Sequence, residues 1–168
     1  DYIDICTFNI YKRTADDDEH AWSTRQVLIK NVIGEYSFDI FGTQESDRTQ
    51  VNDILMLGGY RDYGIGMHSG VQSTGWRNAI IYKYNRFQIV DSGVFWFSET
   101  PNVVSKGWDA DQNRNCNWAK ILDSNTGKYF YFFCAHFDHL GTQARINSAK
   151  MICDTLPEIA GDYPAFFM

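Results

Sequence analysis

The sequence predicts an α+β fold in which two β-sheets pack on each other with helices outside. Three observations predict it: a strand–helix–strand–helix opening, five strand-like segments through the middle, and a return to helical spacing near the end. Aromatic residues, 16% of the chain, add to the case because flat rings pack well on a pleated surface. The length, 168 residues, suits one domain with a substantial core, taken as residues 1–168.

Each element follows from a local pattern. The run from Tyr2 to Ile10 is β-rich, with Ile3, Ile5 and Phe8 apolar, and reads as a buried strand. A polar, acidic loop from Lys12 to His20 comes next. Ser23 and Gln26 have the spacing of a capping box, and Leu28, Ile29, Val32, Ile33 and Tyr36 recur at helical spacing, predicting a helix from Ser23 to Tyr36. Asp39 to Gln44 is a short buried strand. A second helix is expected from Asp47 to Leu57, stopped by Gly58-Gly59. Strands are then expected at Tyr60 to Gly66, Asn78 to Tyr84, Phe87 to Phe97, Asn117 to Leu122 and Lys128 to His136. Asp123 to Gly127 supplies the turn between the last two. Thr142 to Ile159 is helical, with Pro157 expected to kink or end it, and Pro164 to Met168 is a final strand.

Composition narrows the function classes. The net charge is −6 and no basic stripe is visible, which weighs against tight, sequence-independent binding to long duplex DNA. Phosphoester chemistry stays open, because a bound cation can supply the local positive charge. No apolar run approaches the ~20 residues that a membrane helix needs. The chain opens at Asp1 directly on a strand pattern, without an initiator Met, and the compartment is left open between a soluble intracellular protein and a secreted or periplasmic one whose leader has been removed. Cys6, Cys116, Cys134 and Cys153 are widely spaced, so a zinc cluster is not expected and all four read as buried thiols.

Polar side chains collect at three strand ends: Asn9, Gln44-Glu45, and His136 with Asp138 and His139 behind it. Strand ends delivered to one rim can converge on a ligand. Glu45 is a hard oxygen ligand suited to Mg²⁺ or Mn²⁺, and one glutamate is enough to begin such a site. His136 can donate to a phosphoryl oxygen, and Asn9 can orient a carboxylate or a water. Plain structural readings stand beside these. Asn9 can form a turn, and Glu45 can sit ahead of a helix N-terminus where negative charge is favourable. The alternation along His136 to His139 puts the two imidazoles on different faces, which disfavours a zinc pair.

Taken together and in order, the segments resemble the endonuclease/exonuclease/phosphatase superfamily, also called deoxyribonuclease-I-like. Thr7 to Ile10 (TFNI) matches its first motif, Asp39 to Glu45 (DIFGTQE) its second, and Cys134 to His139 (CAHFDH) its histidine strand. Gly93 to Pro101, Ser105 to Ala110 and Arg114 to Ala119 are similar to a bacterial branch of that superfamily. The resemblance implies a four-layer α/β/β/α sandwich and hydrolysis of a phosphoester, in a small molecule or a short nucleic acid, with Mg²⁺ or Mn²⁺. It implies Glu45 as metal ligand, Asn9, His136 and His139 as catalytic groups, and Arg114 as a substrate contact or the partner of a nearby carboxylate. The superfamily's later G-D-F-N and S-D-H motifs do not occur, so a fold incomplete at its C-terminus and an inactive fragment of a longer enzyme are expected. The oligomeric state is left open.

Two other classes compete. One is a non-catalytic β-sandwich module that binds carbohydrate or protein through exposed aromatics such as Trp76, Trp96 and Trp108. The other is a structural relic that keeps the fold without the chemistry. The aromatic loop from Trp96 to Trp108 is also a candidate wall for a leaving-group pocket.

Overall fold

A computed structural model describes residues 2–13 and 20–168. The first sheet has the order β1-β2-β4-β3, with β1 at Ile5–Asn9, β2 at Ile40–Ser46, β3 at Tyr60–Tyr63 and β4 at Arg77–Lys83. The second has the order β5-β6-β7-β8, with β5 at Phe87–Trp96, β6 at Asn115–Asp123, β7 at Lys128–Ala135 and β8 at Ala165–Phe167. Within each sheet one pair is parallel, β1 with β2 and β7 with β8. A parallel pair needs a crossover, and helices α1 (Trp22–Tyr36) and α3 (Thr142–Ala160) provide the two.

Strict alternation along the strands builds the layers. Phe41, Ala79 and Ile81 face outward, onto Ile29 and Ile33 of α1 and onto Val51 and Ile54 of α2 (Arg48–Leu55). Their neighbours Ile40 and Ile80 face inward, against Phe87, Ile121, Phe130 and Phe132 of the other sheet. Tyr131, Phe133 and Ala135 take the far face of β7, with Ile152 and Ala160 of α3. A strand buried on both faces reads as a continuous apolar run, which is what Phe130 to Ala135 shows. The result is the four-layer α/β/β/α sandwich that the sequence predicts.

Gly42 of β2 packs closely on Cys134 of β7 across the layer between the sheets. A Cβ on Gly42 would lie 2.6 Å from Cys134 Sγ. Gly42→Ala is therefore expected to destabilise the fold by about 1–3 kcal/mol, because a packed interior yields little to an added methyl. A chemical-denaturation curve unchanged from the parent would contradict this.

Several local expectations are corrected. Helix α1 starts at Trp22 with Ala21 in the N-cap position, and no side chain caps it, so Ser23 and Gln26 do not form the expected box. The capping box belongs to α2, where Asp47 Oδ1 accepts from Gln50 N at 2.9 Å and Gln50 Oε1 accepts from Asp47 N at 3.0 Å. Strand β3 ends at Tyr63 rather than Gly66, because the backbone of Ile65 turns to the Asn115 and Asn117 side chains. Pro157 does not end α3, which continues to Ala160, since in the last turn its missing N–H costs a single helix bond. Of the thiols, Cys116 and Cys134 are buried, Cys6 is half-buried and Cys153 lies on the solvent face of α3. The loop expected from Lys12 to His20 falls for the most part outside the described residues. Among the described residues, no helix is long and apolar enough to cross a membrane.

Candidate active site

The ends of β1, β2 and β7 meet at one rim. Glu45 sits in a bulge: Thr43 pairs with Ala79 and Ser46 with Arg77, so Gln44 and Glu45 together oppose Asn78 alone. Glu45 takes the left-handed backbone conformation there, with φ of 57°. A bulge of this kind re-aims a side chain, here out of the sheet and toward β1 and β7.

The carboxylate meets two donors. Asn9 Nδ2 donates to Glu45 Oε1 at 3.0 Å, and His136 Nε2 lies 3.2 Å from the same oxygen. Burial pushes the Glu45 carboxyl up, but the hydrogen bonds from Asn9 and His136 outweigh it and hold the group below the usual range. For His136, burial acts first and the neighbouring Arg114 adds to it, so its imidazolium is disfavoured despite Glu45. A neutral ring near pH 7 then carries its proton on Nε2 and donates it to Glu45. Asn9 also keeps its structural part, accepting from Tyr11 N at 3.0 Å to shape the turn after β1.

Arg114 and Asp138 complete the floor. Asp138 is almost wholly buried and accepts from Gly141 N at 2.8 Å, Leu140 N at 3.0 Å, Gln112 N at 3.2 Å and Arg114 Nε at 3.2 Å. Burial would raise this carboxyl, yet the backbone donors hold it far below the usual carboxylate range. Arg114 in turn lies 3.1 Å from His139 Nδ1. Arg114 thus pairs with a carboxylate, one of its two readings, and it also lines a cavity.

That cavity, of about 400 Å³, is lined by Glu45, His136, His139 and Arg114 together with Tyr11, Met67 and Trp76. Lys12, Asp111 and Gln112 also line it. Asn9 opens instead onto an adjoining cavity of about 300 Å³, and His136 stands between the two. Among the described residues no three His, Cys, Asp or Glu side chains gather as a ligand cluster. Glu45, a carboxylate outside any such cluster, on a cavity lined in part by charged side chains, fits Mg²⁺ or Mn²⁺, which keep most of their sites for water and phosphate, better than zinc.

The aromatic expectations divide. Trp76 is exposed and lines the cavity. Trp96 is buried and donates its indole N–H to Met67 O at 2.8 Å, while Trp108 packs half-buried against the core beneath α3. The loop from Trp96 to Trp108 does not form the cavity wall, which comes from Met67 and Trp76 instead. The sequence carried no signal for Tyr11, Lys12, Met67, Asp111 or Gln112 as lining residues, because loops unrelated in sequence bring them together.

Two packed sheets flanked by helices, with an amide, a carboxylate and an imidazole converging at one rim, define a deoxyribonuclease-I-like sandwich protein. Residues 6–143 match the model of the endonuclease/exonuclease/phosphatase family, and the chain belongs to that family. A mannosyl-6-phosphatase of Bacteroides thetaiotaomicron is 35% identical, with a TM-score of 0.94, over 99% of this chain and 64% of its own. An endonuclease/exonuclease/phosphatase protein of Bacteroides vulgatus is 34% identical, with a TM-score of 0.93, over 98% of this chain and 64% of its own. A protein of Acanthamoeba polyphaga mimivirus is 27% identical over 143 residues, 80% of this chain and 53% of that protein. The chain therefore spans between half and two thirds of the length of these relatives.

Proposed function

We propose that the protein is a hydrolase of phosphoester bonds, acting on a small phosphomonoester with Mg²⁺ or Mn²⁺. One observation carries the reading: Asn9 and His136 both hold Glu45 Oε1 at a cavity that Arg114 and His139 also line. Glu45 would hold the cation, which when bound neutralises phosphate charge. Asn9 keeps the Glu45 carboxylate in place. The His136 Nε2–H, engaged by Glu45 in this structure, is the donor for which a phosphoryl oxygen competes when it enters. The buried Arg114 guanidinium adds fixed positive charge beside that oxygen, and His139 is oriented by it.

Family membership and the 35% identity to a mannosyl-6-phosphatase support a phosphomonoester rather than a long nucleic acid. The net charge of −6 agrees with that choice. A module binding through several exposed aromatics is not favoured, since Trp96 and Trp108 face inward.

The test is a panel of phosphomonoesters and phosphodiesters given to the protein as its gene encodes it, with and without a chelator. Phosphate release from at least one small monoester, reduced about 100-fold or more by chelation and restored by Mg²⁺, is expected. Release that ignores the chelator would remove the metal from the proposal, and no release from any ester would remove the activity.

A further inference from the structure

Part of the lining of the 400 Å³ cavity has a chemistry that phosphate binding does not use. Trp76 there is 38% exposed, an uncommon state for an indole on a loop so firmly held. Met67 N donates to Trp76 O at 2.8 Å, and the Trp96 indole donates to Met67 O. Asn115 Nδ2 donates to Ile65 O at 3.1 Å, and the fully buried Arg77 gives Nη1 to Gly64 O at 3.1 Å and its other donors to Gly75 O. A buried arginine spent on loop carbonyls is costly unless the loop must hold one shape. The shape it holds presents Trp76 to the cavity.

Asp111 and Gln112 line the same cavity, joined by a bond of 2.7 Å from Gln112 Nε2 to Asp111 Oδ2. Gln112 is fixed from behind, its backbone N–H donating to the buried Asp138. A carboxylate accepts only, whereas an amide both donates and accepts, so the pair can meet two neighbouring hydroxyls of opposite polarity. The same carboxylate repels a second phosphate, which a nucleic acid strand would bring. An indole lining the same cavity can take the apolar C–H face of a sugar ring.

The geometry points to a leaving-group subsite made of Trp76, Asp111 and Gln112 that takes the neutral, hydroxyl-bearing ring of a sugar monophosphate. The inference rests on the phosphoesterase reading for Glu45 and its neighbours in the same cavity and assigns the residues that choose its substrate.

The experiment measures binding by titration calorimetry, using the protein as its gene encodes it, for a hexose 6-phosphate, a nucleoside 5′-monophosphate and inorganic phosphate. Trp76→Ala and Asp111→Ala should each weaken the hexose 6-phosphate about tenfold and inorganic phosphate by less than about twofold, with Trp76→Phe recovering most of the loss. Equal weakening of both ligands would overturn the subsite. So would weakening confined to the nucleotide, or a parent protein that binds the hexose 6-phosphate no better than phosphate. Parallel hydrolysis assays separate the two claims: a hexose 6-phosphate that binds in this pattern but is not cleaved refutes the activity and leaves the subsite standing.

Discussion

In the protein as its gene encodes it, Glu45→Gly is expected to abolish the proposed phosphoester hydrolysis while making the protein more heat-stable. The loss of activity follows from the place of the carboxylate, which is the group that both Asn9 and His136 hold and the one suited to a hard cation. Removing several kcal/mol of charge stabilisation at the reacting phosphate corresponds to about 10³-fold or more in kcat. The stability gain follows from φ of 57° at Glu45. A residue with a Cβ gives up roughly 1–2 kcal/mol in that conformation, and glycine does not. After the greater freedom of glycine in the unfolded chain is subtracted, about 0.5–1 kcal/mol remains, a Tm rise of about 1–4 °C. Glu45→Ala is the control, losing the same activity without the gain. A glycine variant that keeps activity within tenfold of the parent, or that melts earlier, would sink the argument.

The second large effect is expected at Asp138. Asp138→Asn keeps the shape of the side chain but leaves the Arg114 guanidinium, itself buried, without its counter-charge. Unpairing a buried charge of this kind costs about 3–5 kcal/mol, a fall in Tm on the order of 10 °C. The acid limb should change too. The Asp138 carboxyl is held below its ordinary value of 3.8, so its contribution is present above that pH and is lost as pH falls beneath it. The asparagine variant binds no proton there, and its stability should fall less steeply below about pH 4 than that of the parent. Denaturant unfolding at neutral pH and near pH 3.5 checks both parts. A neutral-pH loss under about 1 kcal/mol would show that Arg114 finds another partner.

How much of this was legible in the sequence depends on how far apart the causes lie along the chain. Strand segments such as Phe130 to Ala135 could be read directly, because burial on both faces writes an unbroken apolar run. The ends of β1, β2 and β7 could be read as polar residues closing apolar runs. The start of α1 was misread because Ser23 and Gln26 have box spacing, whereas Arg25 holds this end by donating to Ile10 O and Lys12 O, the latter at 3.0 Å. Trp96 and Trp76 are alike in composition and opposite in exposure, a difference set by which loop covers which. The bulge that turns Glu45 outward left no mark in the residue pattern, and the clasp between Asp138 and Arg114 joins positions 24 apart.

The layer between the sheets also has a metric role. Glu45 belongs to one sheet and His136 follows a strand of the other, so their 3.2 Å separation depends on how the side chains packed between the sheets space them. Ile40, Ile80, Phe130 and Phe132 act as the spacer that gauges it. A repacking there that shifted one sheet by half an ångström would leave the fold intact and still detune the pair.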